Sequence, residues 1–125
     1  MPNADSIMEL LKDLKEAHPQ IQACMVAKKG LEGLILFPAD FKTEVSSVWE
    51  PLSRNIDDML TVVQKYSCIG QTRLYSEILG FGTVYLPLPM TDTALIVFVK
   101  EEDPLKAATP CIADMETTRK AILEI

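Results

Sequence analysis

The sequence is poor in the residues that most active sites need. In 125 residues it has a single histidine, His18, and three cysteines, Cys24, Cys68 and Cys111. No carboxylate, serine or cysteine lies at a suitable spacing from His18 for catalysis, and the cysteines lack the paired spacing of metal ligands. An odd number of separated thiols beside apolar residues instead predicts reduced, core-packed cysteines and a cytoplasmic protein.

Glycine is scarce as well, and the glycines form no phosphate-binding motif. None is followed by a Lys-Ser or Lys-Thr pair and none opens a predicted helix, which is typical of turn glycines. Those considered are Gly30, Gly33, Gly80 and Gly82. The chain also offers no convergent acid, base and nucleophile. An enzyme is therefore disfavoured, and we expect neither a cofactor nor a metal.

Positive charge is in deficit. Twelve Lys and Arg residues stand against 18 Asp and Glu residues, which gives a net charge of −6 and an isoelectric point near 4.7. The longest basic run is only Lys28-Lys29. A polyanion or an anionic lipid surface is repelled by such a chain, so we expect no nucleic-acid partner. No stretch resembles a signal peptide or a membrane span, so we expect no membrane insertion.

Apolar residues are plentiful. They make up 48% of the chain against 24% charged residues, which predicts one globular domain over residues 1–125. The most continuous apolar run, Thr93 to Val99, is rich in β-branched residues and stops at the charged residues 100–103. This run predicts a strand buried on both faces, with strands on either side and helices above and below it.

The remaining patterns predict eight elements in the order α-β-β-α-β-β-β-α. In chain order they are a helix over residues 6–17, strands over 21–27 and 31–37, a long helix over 43–66, strands over 71–78, 83–88 and 93–99, and a closing helix from 104 or 110 nearly to 125. Ser6 and Glu9 fit a capping box for the first helix. Pro51 marks either a bend in the long helix or a helix start near Ser47.

These elements predict an α/β fold of the α+β sandwich type. We expect a five-stranded, mainly antiparallel sheet with the long helix on one face and the N- and C-terminal helices on the other. If the first strand pairs with the last, the two most apolar strands lie together at the centre of the sheet. The less apolar strand over residues 71–78 is then left at an edge.

The long helix has more apolar surface than one sheet contact requires. One stripe contains Val45, Trp49, Leu52, Ile56, Leu60 and Val63, and a second stripe beside it contains Val48, Met59, Val62 and Tyr66. A helix with two adjoining stripes can pack one on its own sheet and offer the other to a partner. On the polar side, Glu50, Asp57 and Asp58 form an acidic patch that is either a solvated face or a partner contact.

The chain resembles a known family. The strand over residues 23–27 followed by Lys29-Gly30-Leu31, the long helix, the meander ending in residues 94–99 and the closing helix are similar to the roadblock family of dynein light-chain and small-GTPase regulator domains. The resemblance covers almost the whole chain. It departs at the turn, where the family usually has an acidic residue before glycine, and at Pro51 and Trp49 in a helix that is usually smooth.

The resemblance implies a non-enzymatic dimer that binds small Ras-like GTPases as a scaffold or regulator. In this family the middle helices of two subunits pack side by side and the edge strands of the meanders pair. The implied partner is a second copy of this chain or a related chain. The implied dimer contacts are Val48, Trp49, Leu52, Met59, Val62, Arg73 and Tyr75. The alternative is a small-ligand sensor or cytoskeletal adaptor of longin or profilin type, which needs a pocket between helices and sheet.

The stripe assignment leads to a first test at Met59. We expect a charged residue at this position to abolish the dimer and to leave the fold intact, because the second stripe is assigned to the partner. Light scattering and circular dichroism measure the two properties separately. Loss of the fold would show that the two stripes are assigned the wrong way round.

Overall fold

A computed structural model describes residues 4–31, 34–67, 73–78, 80–88 and 93–124. The elements are α1 (Ala4–Ala17), β1 (Ile21–Lys28), β2 (Ile35–Phe37), α2 (Phe41–Glu44), α3 (Trp49–Ser67), β3 (Leu74–Ile78), β4 (Phe81–Pro87), β5 (Thr93–Val99), α4 (Pro104–Ala108), a 3₁₀ turn (Thr109–Cys111) and α5 (Ile112–Leu123). Predictions that fall on Gly33, on Cys68, on residues 71–72 and on the side chain of Tyr66 lie outside the described part of the chain.

The five strands form one antiparallel sheet in the order β2-β1-β5-β4-β3. The first strand pairs with the last, with Cys24 opposite Val97 and Met25 opposite Ile96. All of β4 is buried, and so is β5 after Thr93. The structure thus confirms the predicted fold class, the central pairing and the edge position of β3.

Helices cover both faces of this sheet. Because successive side chains of a strand point to opposite faces, Cys24 and Val97 pack beneath α1 and α5, whereas Met25 and Ile96 pack beneath α2 and α3. This is the predicted placement of the long middle helix opposite the two terminal helices. No described helix is both long and apolar enough to cross a membrane.

Some predicted element boundaries are wrong. The first helix begins at Ala4, so Ser6 lies inside its first turn and is not the cap. The strand predicted over residues 31–37 is only three residues long, because Leu31 closes the turn with a positive φ of 59° and its N–H donates to Lys28 O at 2.8 Å. A residue in that conformation cannot continue an extended strand.

The helical pattern over residues 43–66 is divided between α2 and α3. The longer helix begins at Trp49, which places Pro51 in its first turn. A proline is tolerated there because the first N–H groups of a helix have no intrahelical acceptor. Of the two readings of Pro51, the helix start is therefore confirmed and the bend is not. At the other end of the chain, Asp103 Oδ1 accepts a hydrogen bond from Lys106 N at 3.2 Å and caps α4.

Candidate functional site

The helix α3 buries one apolar stripe and leaves a second stripe partly open. Its buried residues, with exposures of 0 to 4%, are Leu52, Ile56, Leu60 and Val63. In the second stripe Met59 and Val62 are half-buried, and so is Val48, which directly precedes the helix. Val48 and Met59 still pack in part against the core beneath α3. The second stripe is therefore not fully covered by the described part of its own protomer.

Two residues predicted at the dimer contact do not belong to the partly open stripe. Leu52 is fully buried one turn before Ile56, so the prediction that it contacts a partner is wrong. Trp49 is half-buried, but helical spacing places it on the opposite flank of α3 from Val62. There its ring lies 5.1 Å from Lys42 Nζ and lines a small groove of about 310 Å³ with residues of α2.

The partly open stripe faces the free edge of the sheet. Asn55 lies one turn before Met59 and two turns before Val62, on the same side of α3. Together with Pro51 it lines a groove of about 330 Å³ whose opposite wall is β3. No described strand pairs with the outer side of β3. We call this region the α3–β3 surface: it comprises Asn55, Met59 and Val62 of α3 and Ser76, Glu77 and Ile78 of β3.

Arg73 and Tyr75, also predicted as dimer contacts, point away from α3. Arg73 Nη1 forms an ion pair with Glu116 Oε1 of α5 at 3.2 Å. The Tyr75 ring packs on the core beneath the terminal helices, and its hydroxyl lies 2.7 Å from where a side chain at Gly82 would begin. Burial, and then the charges of Glu77 and Asp103, raise the pKa of Tyr75. Both side chains are thus engaged inside the protomer, although Tyr75 belongs to the edge strand and Arg73 directly precedes it.

The acidic residues of α3 do not form one free patch. Glu50 is paired with Arg54 one turn along the exposed face. Asp57 accepts hydrogen bonds from Gly30 N at 2.7 Å and from Lys29 Nζ at 2.9 Å. These bonds attach the turn after β1 to α3, and they lower the pKa of Asp57, the Gly30 N–H having the larger effect. Asp58 is exposed and bonds to no described residue.

The structure brings together one pair of titratable residues that the sequence does not predict. His18 Nε2 lies 2.7 Å from Asp114 Oδ2, although the two residues are 96 positions apart. No spacing in the sequence signals such a pair. Beside it, Gln20 Nε2 donates to Cys111 Sγ at 3.1 Å, and burial raises the pKa of Cys111.

The buried thiols are poorly suited to covalent chemistry. Burial raises the pKa of Cys24 to about 12, and Cys111 is shifted in the same direction. A thiol that stays protonated at neutral pH is a weak nucleophile. Among the described residues, no group of three His, Cys, Asp or Glu side chains could hold a metal ion. The α3–β3 surface therefore remains the strongest candidate for function.

Comparison with known proteins identifies the fold. Neither a family model nor a curated protein matches the sequence. Several solved structures are similar in shape, among them the following three. MglB from Myxococcus xanthus has a TM-score of 0.64 at 11% identity, covering 98% of this chain and 88% of that one. MglC from the same organism has a TM-score of 0.66 at 13% identity, covering 93% and 98%. LokiProfilin1, solved in complex with rabbit actin, has a TM-score of 0.58 at 16% identity, covering 99% and 98%.

These similarities confirm the resemblance at the level of the fold. MglB and MglC have the roadblock/longin-like fold, and the strand order of this chain is consistent with it. At identities between 11% and 16% these similarities show a shared fold and no shared function. The function has to be inferred from the surfaces of this molecule.

The Asp57 contacts lead to a stability prediction. We expect Asp57→Asn to lower the free energy of unfolding by about 1 kcal/mol at neutral pH, because it removes a partly exposed, charge-assisted contact to the turn. The folded pKa lies below the ordinary value of 3.8, so this contribution is present above about pH 3.8 and is lost as the pH falls through the folded pKa. Urea unfolding followed by circular dichroism at several pH values measures the difference.

Asp58→Asn is the matched control for that experiment. It removes the same charge from the neighbouring residue, which bonds to no described group, so its effect should stay within about 0.5 kcal/mol. Equal effects of the two variants at neutral pH would contradict a specific role of Asp57 in attaching the turn to α3.

Proposed function

We propose that this chain is a non-enzymatic, roadblock-type domain that dimerises and binds a small Ras-like GTPase in the cytoplasm. The observation that carries the proposal is the fold shared with MglB and MglC, which are regulators of small GTPases. The dimer contains two copies of this chain or one copy and a related chain.

The α3–β3 surface supports the dimer. A half-buried apolar stripe and an open strand edge lie side by side. In a dimer with two-fold symmetry, the stripe of one copy contacts the stripe of the other, and the two open strand edges meet. The contact consists of Met59, Val62 and the backbone of β3, while Arg73 and Tyr75 stay engaged with the terminal helices.

The proposed regulator acts through binding alone. Binding can hold the nucleotide-dependent loops of a GTPase in one conformation. It shifts the GTPase from one nucleotide state to the other only to the extent that this chain binds the two states with different affinities. No residue of this chain has to take part in hydrolysis. An effect on nucleotide turnover would therefore follow from differential affinity.

A second candidate function is a cytoskeletal adaptor or small-ligand sensor of profilin or longin type. It is favoured by the similarity to LokiProfilin1 over 99% of this chain, because that protein was solved bound to actin. The groove between α3 and β3 provides the kind of recess that such a module needs. Direct binding assays separate this candidate from the first.

The binding partner is tested with immobilised chain and purified small GTPases from the same organism, each loaded with GDP or with a non-hydrolysable GTP analogue. We expect at least one GTPase to bind, with affinities for its two nucleotide states that differ by about fivefold or more. Purified actin serves as the competing partner. Binding of actin with no binding of any GTPase in either state would replace the first candidate by the second.

The dimer is tested at Val62, which is half-buried and, unlike Val48 and Met59, does not pack on the described core beneath α3. We expect Val62→Glu to weaken dimerisation by about tenfold or more, because the partner would cover an unpaired carboxylate. Light scattering over a dilution series measures the change. Val62 is a cleaner site than Met59, which packs in part on its own core.

Thr61→Glu is the matched control. Thr61 is the exposed neighbour of Val62 on the outer face of α3, so the same charge there should leave the dimer unchanged. Circular dichroism shows whether both variants keep the fold. A wild-type chain that is monomeric at high concentration, or equal dimerisation of the two variants, would refute the proposed surface.

A further inference from the structure

A second groove lies on the flank of α3 that faces away from Val62. It has a volume of about 310 Å³ and extends from the ring of Trp49, at the start of α3, to Lys42 of α2. Thr43 and Ser46 complete its lining, and both are exposed. We call this region the Trp49–Lys42 groove. It lies outside the α3–β3 surface.

Trp49 is only partly covered by its own protomer. One part of the side chain packs on the core beneath α3, and Lys42 Nζ lies over the ring at 5.1 Å from its centroid. The rest of this half-buried residue lines the groove. Tryptophan is strongly enriched among the residues that dominate binding energy in protein interfaces, because it combines a large apolar area with an N–H donor. A partly open tryptophan beside a groove therefore indicates a contact surface.

The groove offers hydrogen-bond donors. The Lys42 ammonium and the Trp49 N–H can only donate, whereas the hydroxyls of Thr43 and Ser46 can donate or accept. Within the described ranges of the chain, none of these four side chains has a hydrogen-bond or ion-pair partner, and Lys42 contacts the Trp49 ring alone. The chemistry that fits such a lining is an acceptor with negative charge.

The carboxylates close to the groove are engaged or lie outside it. Glu44 Oε2 accepts a hydrogen bond from a glutamine of β1 at 3.3 Å. Glu50 is paired with Arg54 on the exposed face of α3. Asp40 precedes α2 and does not line the groove. Lys42 therefore provides the formal charge in the lining of the groove.

The start of α3 adds to the preference for an anion. The helix has 19 residues and begins at Trp49, so its first N–H groups and the positive end of its dipole lie on this side. The net charge of −6 repels an acidic partner at long range. Exposed charges more than about 8 Å apart are largely screened at physiological ionic strength, so the charges next to the groove decide the contact.

The shape of the groove favours a protein segment over a small molecule. Pockets for small molecules have volumes of about 300 to 1,000 Å³ and bury most of the ligand surface. This groove lies at the lower end of that range, and three of the side chains that line it are exposed: Lys42, Thr43 and Ser46. An extended segment that also contacts the surroundings of the groove does not need to be enclosed.

We propose that the Trp49–Lys42 groove docks an acidic segment of a partner protein, with a carboxylate on the Lys42 ammonium and an apolar side chain on the open part of the Trp49 ring. The hydroxyls of Thr43 and Ser46 donate to backbone carbonyls of the segment. This contact is separate from the α3–β3 surface and does not require the dimer.

The proposal is tested with a phage library of short random peptides that is selected on the immobilised chain at physiological ionic strength. We expect the enriched sequences to combine Asp or Glu with a neighbouring apolar residue. A synthetic peptide of the enriched sequence, with any tryptophan of its own replaced by phenylalanine, is then titrated onto the chain. Because Trp49 is the only tryptophan in the chain, a change in tryptophan emission reports binding at the groove.

A pair of charge reversals separates the groove from general repulsion. We expect Lys42→Glu to weaken binding of the peptide about tenfold or more, because it replaces the partner of the carboxylate by a like charge. Lys65→Glu is the matched control: Lys65 is exposed near the far end of α3, and the variant changes the net charge by the same amount. Its dissociation constant should stay within about twofold of the wild-type value. Circular dichroism shows whether both variants keep the fold.

Four results would overturn the proposal. They are a selection that enriches no sequence, enrichment of basic or purely apolar sequences, an acidic peptide that binds without a change in Trp49 emission, and equal effects of Lys42→Glu and Lys65→Glu. The peptide should bind whether light scattering finds the chain as a monomer or as a dimer. Failure of the proposed dimer therefore leaves the docking of an acidic segment standing, and the reverse is also true.

Discussion

The pairing of β1 with β5 is the constraint on which the rest of the structure depends. Both strands are apolar nearly throughout, and together they form a ladder from Ile21 opposite Val99 to Lys28 opposite Thr93. A sheet whose central strands have no polar face must be covered by helices on both sides. The strands β1 and β5 are the first and the last in the chain, so the strands between them in sequence lie outside this pair, β2 beside β1 and β4 and β3 beside β5. The helix α3 therefore has to cross the sheet from β2 to β3.

That crossing gives α3 two unlike sides. Toward the turn after β1, Asp57 is held by Gly30 and Lys29 within the same protomer. Toward β3, the helix meets the end of the sheet, so Val62 and Met59 have no further described strand to pack on. The open surface is therefore a consequence of the sheet order.

The fold by itself leaves the function undecided, because one fold hosts partners of different kinds. MglB and MglC share it with LokiProfilin1, which was solved in a complex with actin. The function of one such molecule then depends on which of its own surfaces are left apolar and open. In this chain that surface is the α3–β3 surface, which is why the proposed function is tested there and not at the buried thiols or at the His18–Asp114 pair.

The sequence by itself determined the fold class, the burial of residues 93–99 and the excess apolar surface of the long helix, because hydrophobic periodicity reports which side chains must leave water. It also led to the central pairing and to the edge strand. Only the tertiary structure decided that Leu52 is core, that Arg73 and Tyr75 turn toward the terminal helices, and that Asp57 and Asp114 already have partners. Those outcomes depend on contacts between residues far apart in the chain, and periodicity within one element says nothing about what lies opposite it.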